Sequence, residues 1–527
     1  MNKLKRVFLR IHIPIDLLVI AGVSAYLRLY KISEYLTFLG DEGRDALVVK
    51  RMIVDHDLTL LGPTASVGGF FLGPIYYYFM LPFLWLSRLD PTGPAVMVAL
   101  FGVATVILLY FVGSEFFGKT VGRIGSSLYA LSPIVIAYSR SSWNPNVVPF
   151  FALVLIYLLL RSAKKPEKWE YIAIGITLGI GLQLHYLFLF LFGVTGVWLL
   201  LMGQYRKNLP HYALVLGGFL AGYSPFIAFE ILHRFPNTQT IFRFLLEGKE
   251  TGLVAGRFSV IVSDVVFRIF GRLVLRVPQP EIWNNLPATQ LSLWIGATKI
   301  LIYTSFISLI PGIIAYIRSR GKNKEIEETS RPYVLMAIWF LVVVVLFGFY
   351  KRGIYDYYFG ILFPLPFLLT GIVFSHLFRS KLGAVFGVCL WGGLLYLNWL
   401  GRPFLYAPNN QLGQAKRIAE AAFRLTGGKP YNFALVTNFN SDHAYRYFLE
   451  IWGHPPVTIE NEAIDPNRLT VTDQLIVICE IGDCKPLGHP LWEIAGFGRA
   501  QISDETTESF VRLFKLTHYL GEEEEVK

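Results

Sequence analysis

The sequence predicts a polytopic α-helical membrane protein of about eleven spans, followed by a small C-terminal extracytoplasmic α/β domain. Three observations predict it. The composition is that of a chain dissolved in lipid, basic residues recur in every second loop, and polar, strand-like sequence returns after Gly401.

Of the 527 residues, 54% are hydrophobic and 15% aromatic, while only 16% are charged. A soluble domain carries roughly 25% charged residues. The net charge of +11 is therefore not a nucleic-acid signal; in such a chain the excess Lys and Arg belongs to cytoplasmic loops and sets orientation. Of three cysteines, Cys389 lies in an apolar run and reads as a packing residue. Cys479 and Cys484 are near enough in sequence to pair if their domain is extracytoplasmic, and the spacing alone leaves that open.

The basic N-terminus MNKLKRVFLR leads into an apolar run that continues to Tyr30 without a small-residue cleavage site, which reads as a retained first helix with its basic end inside. Further apolar runs lie near 94–113, 124–138, 147–160, 170–184, 187–203, 212–230, 293–317, 333–350, 357–378 and 383–400. The basic sets are Lys3, Lys5 and Arg6; Lys119 and Arg123; Arg161, Lys164, Lys165 and Lys168; Arg206 and Lys207; Arg318, Arg320, Lys322 and Lys324; and Arg379 with Lys381. They fall in alternate loops, which places those loops and the N-terminus in the cytoplasm of a plasma (inner) membrane protein. Residues 31–74, 231–290 and 401–527 then lie outside.

Residues 75–88 are apolar enough to cross, but a crossing there would move Lys119 and Arg123 outside, so a juxtamembrane or half-crossing helix is expected. The chain divides into a membrane domain, 1–400, and a soluble domain, 401–527. In the latter, FALVTN (433–438), PVTI (456–459) and LIVICE (475–480) read as strands, and SDHAYRYFLEIWG (441–453) as a helix. The closing GEEEEVK reads as a frayed acidic tail.

The first outer loop carries the adjacent acids Asp41 and Glu42, then Arg44 and Asp45. Adjacent carboxylates repel, so at least one should find a cation or metal, or titrate high. Residues 43–56 have helical period, with Ala46, Leu47, Val49, Met52 and Ile53 on one face, as in an amphipathic helix lying at the interface. Asp41 could simply cap that helix, with Glu42 favouring its positive end. An acidic pair beside a membrane is costly, however, and helix capping does not require one. Other outer ends supply Arg140, Gln183 and His185, Glu230 with His233 and Arg234, and Lys351, Arg352, Tyr355 and Asp356. Acids, imidazoles and cations gathered on one side suit a site that handles an anionic lipid headgroup.

The sequence resembles the GT-C glycosyltransferases, in particular the protein O-mannosyltransferase and aminoarabinose transferase superfamily (glycosyltransferase family 39-like). DEGR at 41–44, GPIYYY at 73–78, FFGKTVGRIGSSLYALSPIVIAYSR at 116–140 and FEILHRF at 229–235 carry the resemblance over roughly residues 10–400. It implies a GT-C-like bundle and a glycosyltransferase, hexosyl- or pentosyl-transferring and inverting, with a polyprenyl-phosphate sugar as donor. The acceptor would be a protein, lipid or glycan of the cell envelope. Asp41 matches the catalytic base and Glu42 the second acid. Arg44, Arg140, His185 and Arg352 become candidates for the donor phosphate; His233, Glu230 and Tyr355 for the acceptor or for support. Aminoarabinose transferases carry an acid and a lysine where this chain has Leu72 and Gly73 before Pro74, so a metal site of that type lacks a ligand and a divalent metal stays an open element. Asn144 and Asn146 stand where the family has a second outer-loop acid. The competing readings are a polyprenyl-linked saccharide flippase or exporter, and a membrane anchor presenting a binding domain. Spans nearly free of charge, with charges at their outer ends, favour the enzyme.

Overall fold

The computed structural model describes residues 14–65, 68–164, 166–202, 205–247, 256–519 and 521. Lys3, Lys5, Arg6, Lys165, the side chains of Arg206 and Lys207, and most of the acidic tail lie outside the described residues. The chain forms two compact units. One comprises the chain up to Tyr30, Leu58–Phe79 and Ala95–Ala407; the other comprises Lys31–Asp57, Met80–Pro94 and Pro408 onward. The expected cut at residue 401 thus meets a different division: the acid-bearing stretch of the first loop belongs to the same unit as the C-terminal sequence.

The first unit is helical. Every apolar run predicted to span is helical over most of its length. Among the described residues, five helices are long and apolar enough to cross a bilayer, Thr92–Phe116, Asn144–Lys164, Ala288–Ser319, Lys324–Phe347 and Lys381–Trp399, and a sixth results if Leu209–Gly222 and Ser224–Leu232, bent by 68°, form one span. This is fewer than the expected count, because some runs are broken or short. Pro133, with no N–H to donate, separates Lys119–Leu131 from Pro133–Tyr138, and Lys168–Leu184 and Pro364–Leu377 are only 17 and 14 residues long. Ile75–Leu86 is a short helix of 12 residues with Pro82 inside it, in keeping with a half-crossing. Cys389 faces away from the protein, so it is no packing residue.

Small residues let two helices of this unit pack in close contact. A Cβ on Gly175 would lie 2.0 Å from the Val215 carbonyl oxygen, and one on Gly218 2.1 Å from that of Ile172, so only glycine permits Lys168–Leu184 and Tyr205–Gly222 to touch. Basic residues from the predicted cytoplasmic loops meet acids within this unit. Arg123 pairs with Asp16, Lys164 lies 3.8 Å from Glu115, Arg161 2.8 Å from Glu170, and Arg331 2.9 Å from Glu327.

Numbered within the second unit, its elements run α1 (Ile32–Tyr35), α2 (Gly40–Val54), α3 (Gln411–Thr426), β1 (Asn432–Val436), α4 (His443–Ile451), β2 (Gln474–Cys479), α5 (Trp492–Ala495), β3 (Ala500–Glu508) and β4 (Val511–His518). The sheet order is β1-β2-β4-β3; β1 and β2 are parallel, and β4 is antiparallel to both its neighbours. β1 and β2 are buried throughout, as their unbroken apolar runs predict. PVTI at 456–459 is no strand: Pro455 and Pro456 offer no N–H, and only Val457 bridges to Asn432. Cys479 and Cys484 form a disulfide with Cα atoms 6.0 Å apart.

Candidate active site at the first loop

α2 begins at Gly40, after an extended Leu39. Glu42, in its first turn, accepts the Leu39 N–H at 3.1 Å, and Asn440 Oδ1 accepts the Gly40 N–H at 3.0 Å. Two donors left over by the helix start are thereby satisfied, one from within and one from the C-terminal sequence. Asp41 is not the cap. Its side chain remains 54% exposed, and Arg44 Nη1 donates to its Oδ1 at 2.8 Å. Arg44 also donates from Nε and Nη2 to Oδ1 of fully buried Asp45, at 3.0 and 2.8 Å.

Both outcomes expected for adjacent acids occur. Asp41 finds a cation, and Glu42 titrates high: burial pushes its carboxyl up to about 7, with Asp41 and Asp45 adding repulsion. The inward turn of Glu42 gives it a structural contact and takes it away from solvent.

The glycines of the motif explain how this helix is held. A Cβ on Gly43 would lie 2.4 Å from the Ala444 nitrogen, and one on Gly40 2.1 Å from Ser441 Oγ. α2 therefore lies directly against the start of α4. Ala46, Leu47, Val49 and Met52 are buried, and Lys50 and Arg51 reach Glu450 at 3.7 and 3.0 Å. The apolar face expected to meet lipid meets protein instead. Phe38 adds edge contacts to Tyr447 and Phe448, at 5.8 and 5.7 Å between centroids.

This packing brings in residues the sequence reading did not select. Ser441 Oγ lies 2.7 Å from His443 Nδ1, and burial lowers the His443 pKa, with Arg44 and Arg446 opposing its charge and Asp442 and Asp41 favouring it. A polar NFNSDH run straight after a buried strand was the available signal, because loops at the carboxyl ends of parallel strands commonly carry function.

The other candidates belong to the first unit. Arg140 is buried, and its guanidinium donates to the Leu27 and Tyr30 carbonyls, both at 2.7 Å; it closes the end of helix Ile15–Leu29, so the phosphate role expected for it does not match its contacts. Glu230 accepts from the N–H groups of Asn237 and Thr238 and from the Asn237 amide, fixing the start of helix Pro236–Glu247. His233 stacks on Phe229 at 4.1 Å. His185 is buried, accepts the Leu187 N–H on Nδ1 at 3.2 Å, and stacks on Tyr186. Tyr355 is exposed and stacks on Tyr357, and Arg352 lies exposed in the same loop. Asn144 and Asn146 both donate to backbone carbonyls, of Leu184 and Ser141. At Gly73, where the resemblance expects a lysine, a Cβ would lie 2.3 Å from the Gln183 side chain, so Gln183 fills that space.

A charge cluster in the first unit was also missed. Arg268 donates to Asp356 from Nε and Nη2 at 3.1 and 2.6 Å, and Arg272 pairs with the same carboxylate. Asp264 gives Arg268 a second partner at 3.1 Å. Among the described residues no group of three or more His, Cys, Asp or Glu side chains could hold a metal ion. With Leu72 and Gly73 in place of the expected acid and lysine, the described residues do not fit the metal that the resemblance implies.

The family described as dolichyl-phosphate-mannose-protein mannosyltransferase matches residues 73–229. YkcB of Bacillus subtilis (strain 168), which bears a provisional mannosyltransferase name, is 33% identical over 81 residues, 15% of this chain and 11% of that protein. The fold is similar to that of ArnT from Cupriavidus metallidurans in two crystal structures. The apo structure gives a TM-score of 0.61 at 12% identity, and the one bound to undecaprenyl phosphate 0.59 at 11%; each comparison covers 94% of this chain and 97% of the other. With its apolar helices and small C-terminal sheet, this chain has the multi-pass helical fold of the ArnT structures, and residues 73–229 within it are similar to the mannosyltransferase family.

Proposed function

We propose that the chain transfers a sugar from a polyprenyl-phosphate carrier to a hydroxyl group of an acceptor on the extracytoplasmic face, with Asp41 as base. One observation carries the reading: Asp41 is the exposed carboxylate of a helix turn whose other acids, Glu42 and Asp45, are buried. Its turn is anchored by the Leu39–Glu42 and Gly40–Asn440 hydrogen bonds, so a reacting group placed there is held on a rigid element.

In the reaction, Asp41 takes the proton of the acceptor hydroxyl. That oxygen forms a bond to the anomeric carbon, the bond from this carbon to the phosphate oxygen breaks, and polyprenyl phosphate leaves with the electron pair. A direct displacement of this kind inverts the anomeric centre. Arg44 orients the base through its contact at 2.8 Å, and buried Asp45 in turn holds Arg44. Glu42 positions the turn and does not touch substrate.

Cations near the leaving phosphate would stabilise its charge. Arg268 and Arg272 share Asp356, an arrangement that orders guanidinium groups in advance of a ligand. The bound lipid of the ArnT structure supports a polyprenyl-phosphate donor. The disulfide between Cys479 and Cys484 supports an oxidising compartment for the C-terminal sequence.

The test is Asp41→Asn in purified full-length protein, assayed for transfer from a polyprenyl-phosphate sugar. Loss of at least a hundredfold in rate, with unchanged membrane insertion, is expected from removing a general base, which typically contributes 10²–10⁴-fold. Full activity in that variant would remove the mechanism.

A further inference from the structure

A cavity of about 760 Å³ opens beside the first turn of α2, at the carboxyl ends of the parallel strands β1 and β2. In open α/β sheets, this end of the strands is where ligands sit. Here β1 delivers Thr437 and β2 delivers Glu480. The Glu480 carboxylate accepts three neutral donors: Thr437 Oγ1 at 2.7 Å, Asn440 Nδ2 at 2.9 Å and the Tyr445 hydroxyl at 2.6 Å. A carboxylate has about four lone-pair sites, so one acceptor position stays open to a ligand hydroxyl. The Cys479–Cys484 disulfide begins at the residue before Glu480 and ties down its loop.

The remaining lining is amide and aromatic. The Asn438 side chain is exposed and makes no hydrogen bond among the described residues. Gln411 Oε1 is buried and also lacks a partner there. Phe439 on the cavity wall is fully exposed at 102%, and Phe510, also lining it, is 65% exposed. Among the described residues no lysine or arginine lines the cavity. Such a site does not attract a phosphate. Free amides, one open carboxylate position and bare aromatic rings match a neutral pyranose: hydroxyls meet the polar groups, and the apolar C–H face of the ring covers a phenyl.

Asn440 connects this cavity to the proposed base. Its amide donates to Glu480, and its Oδ1 accepts the N–H of Gly40, the residue before Asp41. We infer that the cavity between Glu480, Asn438 and Phe439 is a saccharide subsite that seats a glycan acceptor with its reactive hydroxyl toward Asp41. The acceptor role rests on the function proposed above; saccharide binding does not.

The test uses full-length protein in lipid nanodiscs, titrated with mannotriose, cellotriose and chitotriose and, for contrast, an uncharged Gly/Ser/Thr hexapeptide. Saturation-transfer NMR and calorimetry report binding. At least one trisaccharide is expected to bind, and Phe439→Ala and Glu480→Gln should each weaken it tenfold or more. Because Phe439 is fully exposed, its truncation leaves the fold intact, and thermal melting verifies this. Binding of no trisaccharide, undiminished binding in both variants, or binding of the peptide alone would overturn the proposal. Asp41→Asn separates the two readings: it should abolish transfer and leave trisaccharide affinity unchanged. Retained transfer with saccharide still bound would overturn the base and spare the subsite.

Discussion

Within two residues, Asp41 and Glu42 have opposite fates. One faces solvent and pairs with Arg44; the other is buried under the turn it supports. The burial of Glu42 has a consequence in pH. Its ordinary value of 4.5 rises to about 7 in the folded protein, so between these values the native state holds a proton that the unfolded chain gives up. Its stabilising contribution is complete below pH 4.5 and is lost as pH rises through about 7. Glu42→Gln mimics the protonated acid. It should melt like wild type near pH 4.5 and be more stable at pH 8, by up to about 3 kcal/mol. Differential scanning calorimetry across that range checks it, and a wild type and variant that run parallel in pH would contradict the account.

At the scale of elements, α2 is defined by what it packs on. Its periodicity was readable from Ala46, Leu47, Val49 and Met52, and those residues are buried. The partner surface was not readable, because a hydrophobic face looks the same whether lipid or protein covers it. The informative residue was Gly43, whose missing Cβ admits the backbone of Ala444. Gly43→Ala should push α4 away from α2, costing about 1–3 kcal/mol as overpacking does. The readout is faster proteolysis within residues 31–57, and an unchanged cleavage rate would argue against the contact. β1 and β2 were legible as apolar runs, and the hairpin of β3 and β4 was not. β3 (AQISDETTE) is largely exposed and carries no apolar alternation strong enough to mark it. Arg268 and Arg272 went unnoticed for a similar reason. Their partner Asp356 lies far along the chain, and sequence spacing carries no sign of such a pairing.

Across the whole molecule, Arg123 and Lys164 meet the sequence-distant acids Asp16 and Glu115, while Arg161 and Arg331 meet nearby ones, and the side of the membrane on which these residues lie is a prediction to be tested. A cysteine placed at Lys119, beside Arg123, should resist a membrane-impermeant maleimide applied from outside intact cells and react after permeabilisation. Labelling from outside would reverse the orientation on which the extracytoplasmic site depends. The count of spans was less legible, because Pro133 interrupts a run that hydropathy alone reads as continuous, and the runs around 170–184 and 357–378 yield α-helices of only 17 and 14 residues.

The acid-bearing helix belongs to a unit that the ribosome makes in separated instalments. Lys31–Asp57 emerges before the stretch from Pro408 with which it shares a unit, and most of the first unit is made in between. Until then α2 has an uncovered apolar face and Gly40 lacks the Asn440 acceptor, so the proposed base has no fixed position. Synthesis of the stretch from Pro408 is therefore a built-in licence for chemistry: a product that stops before it lacks the Asn440 acceptor and cannot fix the turn that holds Asp41.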